Sequence, residues 1–173
     1  MNQANPEHIS AEKTIGAKSK SPHPFMRQIS ITYRCAMRFR EDELADTGLA
    51  GYQTPYLTSL YRHPGISQEE LARDLNVNKS SVTRQLAALE ERGYIRREPS
   101  KADKRILLVY LTNQGEMLIS RIFSCYGNWS SYLTQDFTED EKETLSRLMA
   151  RISARAEEYV KGGECTCAPS DNT

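Results

Sequence analysis

The chain has no apolar run long enough to cross a bilayer. Its longest, Ile106 to Leu111, falls far short of the roughly 20 residues that a spanning helix requires. Residues 1–24 carry Lys13, Lys18 and Lys20 but no apolar segment of secretory length, so no membrane partner is expected and the expected location is the cytoplasm. Cysteine is scarce: Cys35, Cys125, Cys165 and Cys167 lack C-x-x-C spacing, which leaves free thiols as the default. The Cys165 and Cys167 pair has no nearby His to complete four zinc ligands, so no structural metal is expected. The histidines, His8, His23 and His63, are scattered. There is no His-x-x-x-His pair, no Gly-rich phosphate loop and no Ser-His-Asp set, so neither an enzyme nor a resident cofactor is expected. An excess of one charge is also missing, since Lys plus Arg and Asp plus Glu both number 23. Total charge therefore says nothing about an anionic partner, and its distribution has to be read instead.

What is present reads as mainly helical. At 173 residues the chain suits one compact module with helical extensions. Residues 1–24 and 161–173 are loop-like in composition and are expected to form a disordered arm and a flexible tail. A first helix is predicted from about Phe25 to Ala45, stopped by Gly48, and a second from about Tyr52 to Tyr61. Ser67 and Glu70 form a capping box for a short helix to Leu75. After the turn Asn76-Val77-Asn78, Asn78 caps a helix whose buried stripe is Val82, Leu86 and Leu89 and which Gly93 ends. Tyr94 to Glu98 and Ile106 to Leu111 read as two strands around a polar turn. Thr112 caps a long helix, and the Thr138 box opens a last one with apolar residues near a 3.6-residue period. The first and last helices are long and amphipathic while hydrophobic content is only 38%, so a second copy of the chain is expected to cover them.

Charge is sorted along the chain. From Lys79 to Arg105 there are eight basic residues against four acidic ones, whereas Asp136 to Glu158 holds seven acids against four bases. The basic stretch coincides with the short helix pair and the hairpin. With Val82, Leu86 and Leu89 inward, Lys79, Ser80, Ser81, Thr83, Arg84 and Gln85 are expected to face solvent. These are the groups that base edges and phosphates accept in a major groove: Arg for guanine, Gln for adenine, Ser and Thr for phosphate or base. The helix N-terminus adds free N–H groups and a favourable dipole for phosphate.

Residues 48–112 resemble the MarR family of winged helix-turn-helix regulators. The likeness is carried by Gly48-Leu49 with Gln53, by Ser67 to Ala72, by Asn78 to Leu86 followed by Leu89 to Ile95, by Asp103-Lys104-Arg105 as a D-x-R motif, and by Leu111-Thr112 with Gly115 as L-T-x-x-G. The resemblance implies a winged helix-turn-helix at 48–112, and a dimerisation region built from 25–47 and 113–160. It further implies a homodimer that acts as a repressor on a pseudo-palindromic operator in double-stranded DNA and is released from it by a small-molecule or other signal. In that reading Lys101, Asp103, Lys104 and Arg105 belong to the DNA-binding wing, with Arg105 in a minor groove and Asp103 orienting it.

Members of such a family respond to small molecules, oxidants or metals. Tyr33, Met37, Tyr52, Tyr56, Phe123 and Trp129 are the candidate effector-binding set, although ordinary core or interface packing is the favoured reading of these side chains. The alternative sensor uses Cys35 or the Cys165 and Cys167 pair. Cys35 stands thirteen residues before Gly48, more than two helical turns from where peroxide-sensing relatives place their cysteine, so a buried, inert thiol is the expectation.

Overall fold

The computed structural model describes residues 23–162. Residues 1–22 and 163–173, and with them nearly all of the expected arm and tail, including Cys165 and Cys167, lie outside the described residues. The chain divides into one unit up to Ala36 and a second from Met37. The described part of the first unit is helical: α1 spans Pro24–Glu43, with proline at its first position, where no backbone N–H is needed. Phe25, Met26 and Tyr33 on this helix are exposed.

The second unit holds the remaining elements: α2 (Thr54–Arg62), β1 (Ile66–Ser67), α3 (Gln68–Asp74), α4 (Lys79–Glu91), β2 (Ile95–Pro99), β3 (Leu107–Leu111), α5 (Asn113–Leu133) and α6 (Glu139–Val160). Short 3-10 turns at Ala45–Thr47 and Gly51–Gln53 lead into α2. The fold is thus mainly α with a small wing, as expected, and the structure adds one strand. β1 is two residues long, too short to show a period, and it pairs antiparallel with β3 at Ile66 to Val109. β2 pairs with the other edge of β3, from Ile95 opposite Leu111 to Pro99 opposite Leu107. Pro99 sits at the end of an outer strand, where its missing N–H costs no ladder bond.

All four side-chain caps expected from the sequence are formed. Ser67, Asn78, Thr112 and Thr138 accept from the backbone N–H of Glu70, Ser81, Gly115 and Glu141, and the boxes at Ser67 and Thr138 are closed by the Glu side chains. Leu57, Leu60, Leu71, Val82, Leu86, Leu89, Ile95, Val109 and Ile122 form one core beneath the sheet and helices. Each such side chain contributes about 2 kcal/mol through burial. The start of α5 is pressed against the wing's base: a Cβ at Gly115 would lie 2.1 Å from the Tyr94 carbonyl oxygen. Only glycine fits there, which is the physical content of the L-T-x-x-G pattern. α6, by contrast, has no buried residue, and Leu145, Leu148, Met149, Tyr159 and Val160 are exposed along it.

Candidate nucleic-acid interface

The approach to α4 is set by local chemistry. Asn76 adopts φ +52°, a left-handed conformation that Asn tolerates better than most residues, and the Val77 N–H then donates to the Ala72 carbonyl at 3.0 Å. Asn78 Oδ1 accepts from the Ser81 N–H at 2.7 Å and from the Ser80 hydroxyl at 2.8 Å. The first turn of α4 is therefore rigidly capped and exposed. Thr83 donates to the Lys79 carbonyl at 3.0 Å.

The eight cations between Lys79 and Arg105 divide into two groups. Lys79 lies 3.0 Å from Glu69, whose carboxyl is held below its usual pKa by that bond. Arg96 pairs with Glu98 and lies 4.6 Å over the Tyr110 ring. Arg97 clamps Glu90 through Nε at 2.9 Å and through a close Nη2 contact, tying β2 to α4, and Arg92 donates to the Ala88 carbonyl at 3.0 Å. The side chains of Arg84, Lys101, Lys104 and Arg105 have no hydrogen-bond or ion-pair partner among the described residues. The cationic side chains of the region without any partner are thus one on α4 and three of the wing turn, while Arg92 is tethered to a carbonyl but has no counter-ion.

That turn is closed by Ile106 N–H to the Asp103 carbonyl at 3.0 Å and Ser100 N–H to the Ile106 carbonyl at 2.8 Å. Asp103 Oδ1 accepts from the Arg105 backbone N–H at 2.9 Å. This corrects the expectation that Asp103 orients the Arg105 side chain: the carboxylate holds the backbone and leaves the guanidinium free. Arg105 and Ile106 line a cleft of about 380 Å³ together with Ser67, Gln68, Glu69, Lys79 and Thr83. The wing and the first turn of α4 consequently face one groove. A second correction concerns Gln85, expected at the surface. It is only 7% exposed, and its Oε1 accepts from Gln53 Nε2 at 3.0 Å. The 3.6-residue period puts Gln85 one step from Leu86, on the margin of the buried stripe, and a polar partner waiting inside decides which way it turns.

The MarR family model matches residues 52–107. The chain is 30% identical over 141 residues to an uncharacterized HTH-type transcriptional regulator, YybA, of Bacillus subtilis (strain 168), a match that covers 80% of this chain and 94% of the relative. The chain belongs to the MarR family. A crystal structure of MarR superposes with a TM-score of 0.70 at 34% identity, over 77% of this chain and 97% of that one. A mutant MarR from E. coli, solved in complex with operator DNA, superposes with a TM-score of 0.68 at 28% identity, over 75% of this chain and 93% of that one. The family and the relatives of this chain are transcriptional regulators, not enzymes.

The six aromatic and sulfur side chains considered for an effector have different surroundings. Tyr56 is buried in the core; Phe123 packs edge-on against Tyr61 at 5.9 Å, and Trp129 stacks on Phe39 at 4.9 Å and on Tyr132 at 5.9 Å. Met37 accepts a long bond from Arg40 at 3.7 Å through its sulfur, Tyr52 is exposed on its 3-10 turn, and Tyr33 is exposed in the first unit. Cys35 is exposed, which corrects the expected burial, while Cys125 is buried and its thiol is pushed up by desolvation. No helix among the described residues is long and apolar enough to cross a membrane.

Proposed function

We propose that this MarR-family protein is a sequence-specific DNA-binding repressor that acts as a homodimer on a pseudo-palindromic operator and lets go of it on a small-molecule or other signal. The observation that carries the reading is the placement of Arg84, Lys101, Lys104 and Arg105. They alone among the region's cations lack partners, and Arg105 shares a cleft with the exposed first turn of α4. α4 enters a major groove, where Arg84 addresses base edges and Ser80, Ser81 and Thr83 approach phosphate. Lys101, Lys104 and Arg105 follow the backbone into the adjacent minor groove, whose narrow stretches attract a guanidinium. The operator-bound MarR supports this docking by analogy.

The dimer is supported by the apolar side chains left uncovered on α5 and α6, including Tyr132, Leu133, Leu145, Leu148 and Met149. Residues 25–47 and 113–160 supply that interface and 48–112 the reading domain, with half-sites about one helical turn apart, near 34 to 36 Å. The effector reading stays with the accessible members of the proposed set within the second unit, Met37, Tyr52, Phe123 and Trp129. The protein works where the DNA is, in the cytoplasm.

The test is selection of duplexes from a random pool, followed by binding measurements with Arg84→Ala and Arg105→Ala. Both variants should remain dimers by ultracentrifugation and lose operator affinity. Unchanged affinity in both would overturn the site assignment, and a monomeric wild-type protein that binds at full strength would overturn the dimer.

A further inference from the structure

The buried contact between Gln53 and Gln85 is unusual chemistry for the back of α4. Val82, Leu86 and Leu89 hold the helix by apolar burial, which is non-directional and tolerates a small roll about the axis. The amide bond on the same side does not. Gln53 Nε2 donates to Gln85 Oε1 at 3.0 Å, and Gln53 Oε1 accepts from the Ala50 N–H at 3.0 Å, with both side chains withdrawn from solvent (Gln53 3%, Gln85 7% exposed). The turn that presents Gln53 is anchored in its own right. The Thr54 hydroxyl donates to the Gly51 carbonyl at 2.9 Å, and the Tyr126 hydroxyl of α5 donates to Thr54 at 2.8 Å. A continuous series of bonds thus runs from α5 through the Gly51–Gln53 turn to α4.

Arg84 is the residue before Gln85, about 100° around the helix. An arginine head stands roughly 9 Å from the helix axis, so a roll of about 10° displaces it by about 1.5 Å, against a tolerance for productive geometry of about 0.5 Å. We infer that Gln53 and Gln85 act as a pair of positioning residues that set the roll of α4, so that base discrimination by the exposed face depends on Gln53, a residue that never meets DNA. The inference rests on the DNA-reading function proposed above. It replaces the direct adenine contact that the residue type of Gln85 suggests.

The experiment uses the full-length protein and a duplex selected from a random pool by the wild type, together with copies of it changed at single base pairs within one half-site. The quantity read is the ratio of affinities for the selected and changed duplexes. Gln53→Met and Gln85→Met, which keep side-chain length, should each lower that ratio about fivefold, the worth of one buried hydrogen bond. The double variant should lose no more than either single one, as expected for two partners in one interaction. Affinity for an unrelated duplex, and its salt dependence, should stay at the wild-type value, which a general loss of folded protein would not allow. The double variant leaves neither glutamine amide without its partner and carries the test if a single variant fails to fold. Loss of discrimination in Gln85→Met with none in Gln53→Met would make Gln85 a direct reader and overturn the inference. So would ratios unchanged within twofold, or losses that add in the double variant. A wild-type protein with no preference for any duplex would overturn the DNA-reading function itself, and this inference with it.

Discussion

Removing single cations from the region should change the salt dependence of DNA binding in a pattern that the ion pairs dictate. Each cation that sits against the duplex releases counterions, so the logarithm of affinity falls with the logarithm of salt by about 0.9 per phosphate neutralised. Arg84, Lys101, Lys104 and Arg105 are unpaired, and a dimer presents each twice, so the slope should be near −7. Lys104→Ala removes two contacts per dimer and should bring it to about −5. The double substitution Arg96→Ala/Glu98→Ala removes an ion pair with no net charge and should leave the slope within about 0.5 of wild type. Fluorescence anisotropy of a labelled duplex over a salt series, at fixed pH, gives all three numbers. An Arg96→Ala/Glu98→Ala slope as shallow as that of Lys104→Ala would show that the pairing does not decide which charges reach DNA, and the reasoning would fall.

Three further outcomes follow from particular contacts. Asp103→Asn keeps an oxygen for the Arg105 backbone N–H and should bind DNA nearly as wild type, whereas Asp103→Ala should bind several-fold more weakly; equal losses in both would restore a charge-pairing role for Asp103. Gly115→Ala pushes a Cβ to 2.1 Å from the Tyr94 carbonyl oxygen and should cost roughly 3 kcal/mol or more in urea unfolding, with a loss under about 1 kcal/mol refuting the close approach. The Arg97 guanidinium holds the Glu90 carboxyl below the usual carboxylate range, so the stabilisation is fully present above the unfolded pKa and is lost as pH falls through the lower folded pKa. Wild type should therefore exceed Glu90→Gln in thermal midpoint at about pH 6, with the gap narrowing steadily as the pH is lowered through and below the usual carboxylate range; a gap that does not narrow in acid would exclude the ion pair as its source.

Local chemistry made much of the fold legible. The Ser67, Asn78, Thr112 and Thr138 caps are interactions within four residues, so their spacing alone announces where α3, α4, α5 and α6 begin. The wing was readable because Ile106 to Leu111 and Tyr94 to Glu98 flank a polar turn. Helix ends moved slightly, as with α1, which stops at Glu43 before a 3-10 turn at Ala45–Thr47. β1 was not legible: two residues become a strand only because β3 lies beside them.

The candidate site was legible as a region but not in its internal division of labour. Residue types and their order placed eight cations, a capped helix and a hairpin within one stretch, and that much follows from sequence alone because periodicity and turn chemistry act over short distances. Which cations remain uncompensated depends on Glu69 reaching Lys79 from another helix and on Glu90 reaching Arg97 from α4, contacts that only the assembled unit creates. The same holds for Gln85. Its place at the margin of the buried stripe was set by the sequence, but its orientation was decided by Gln53, 32 residues away in the chain, because a buried amide is stable only where a partner meets it.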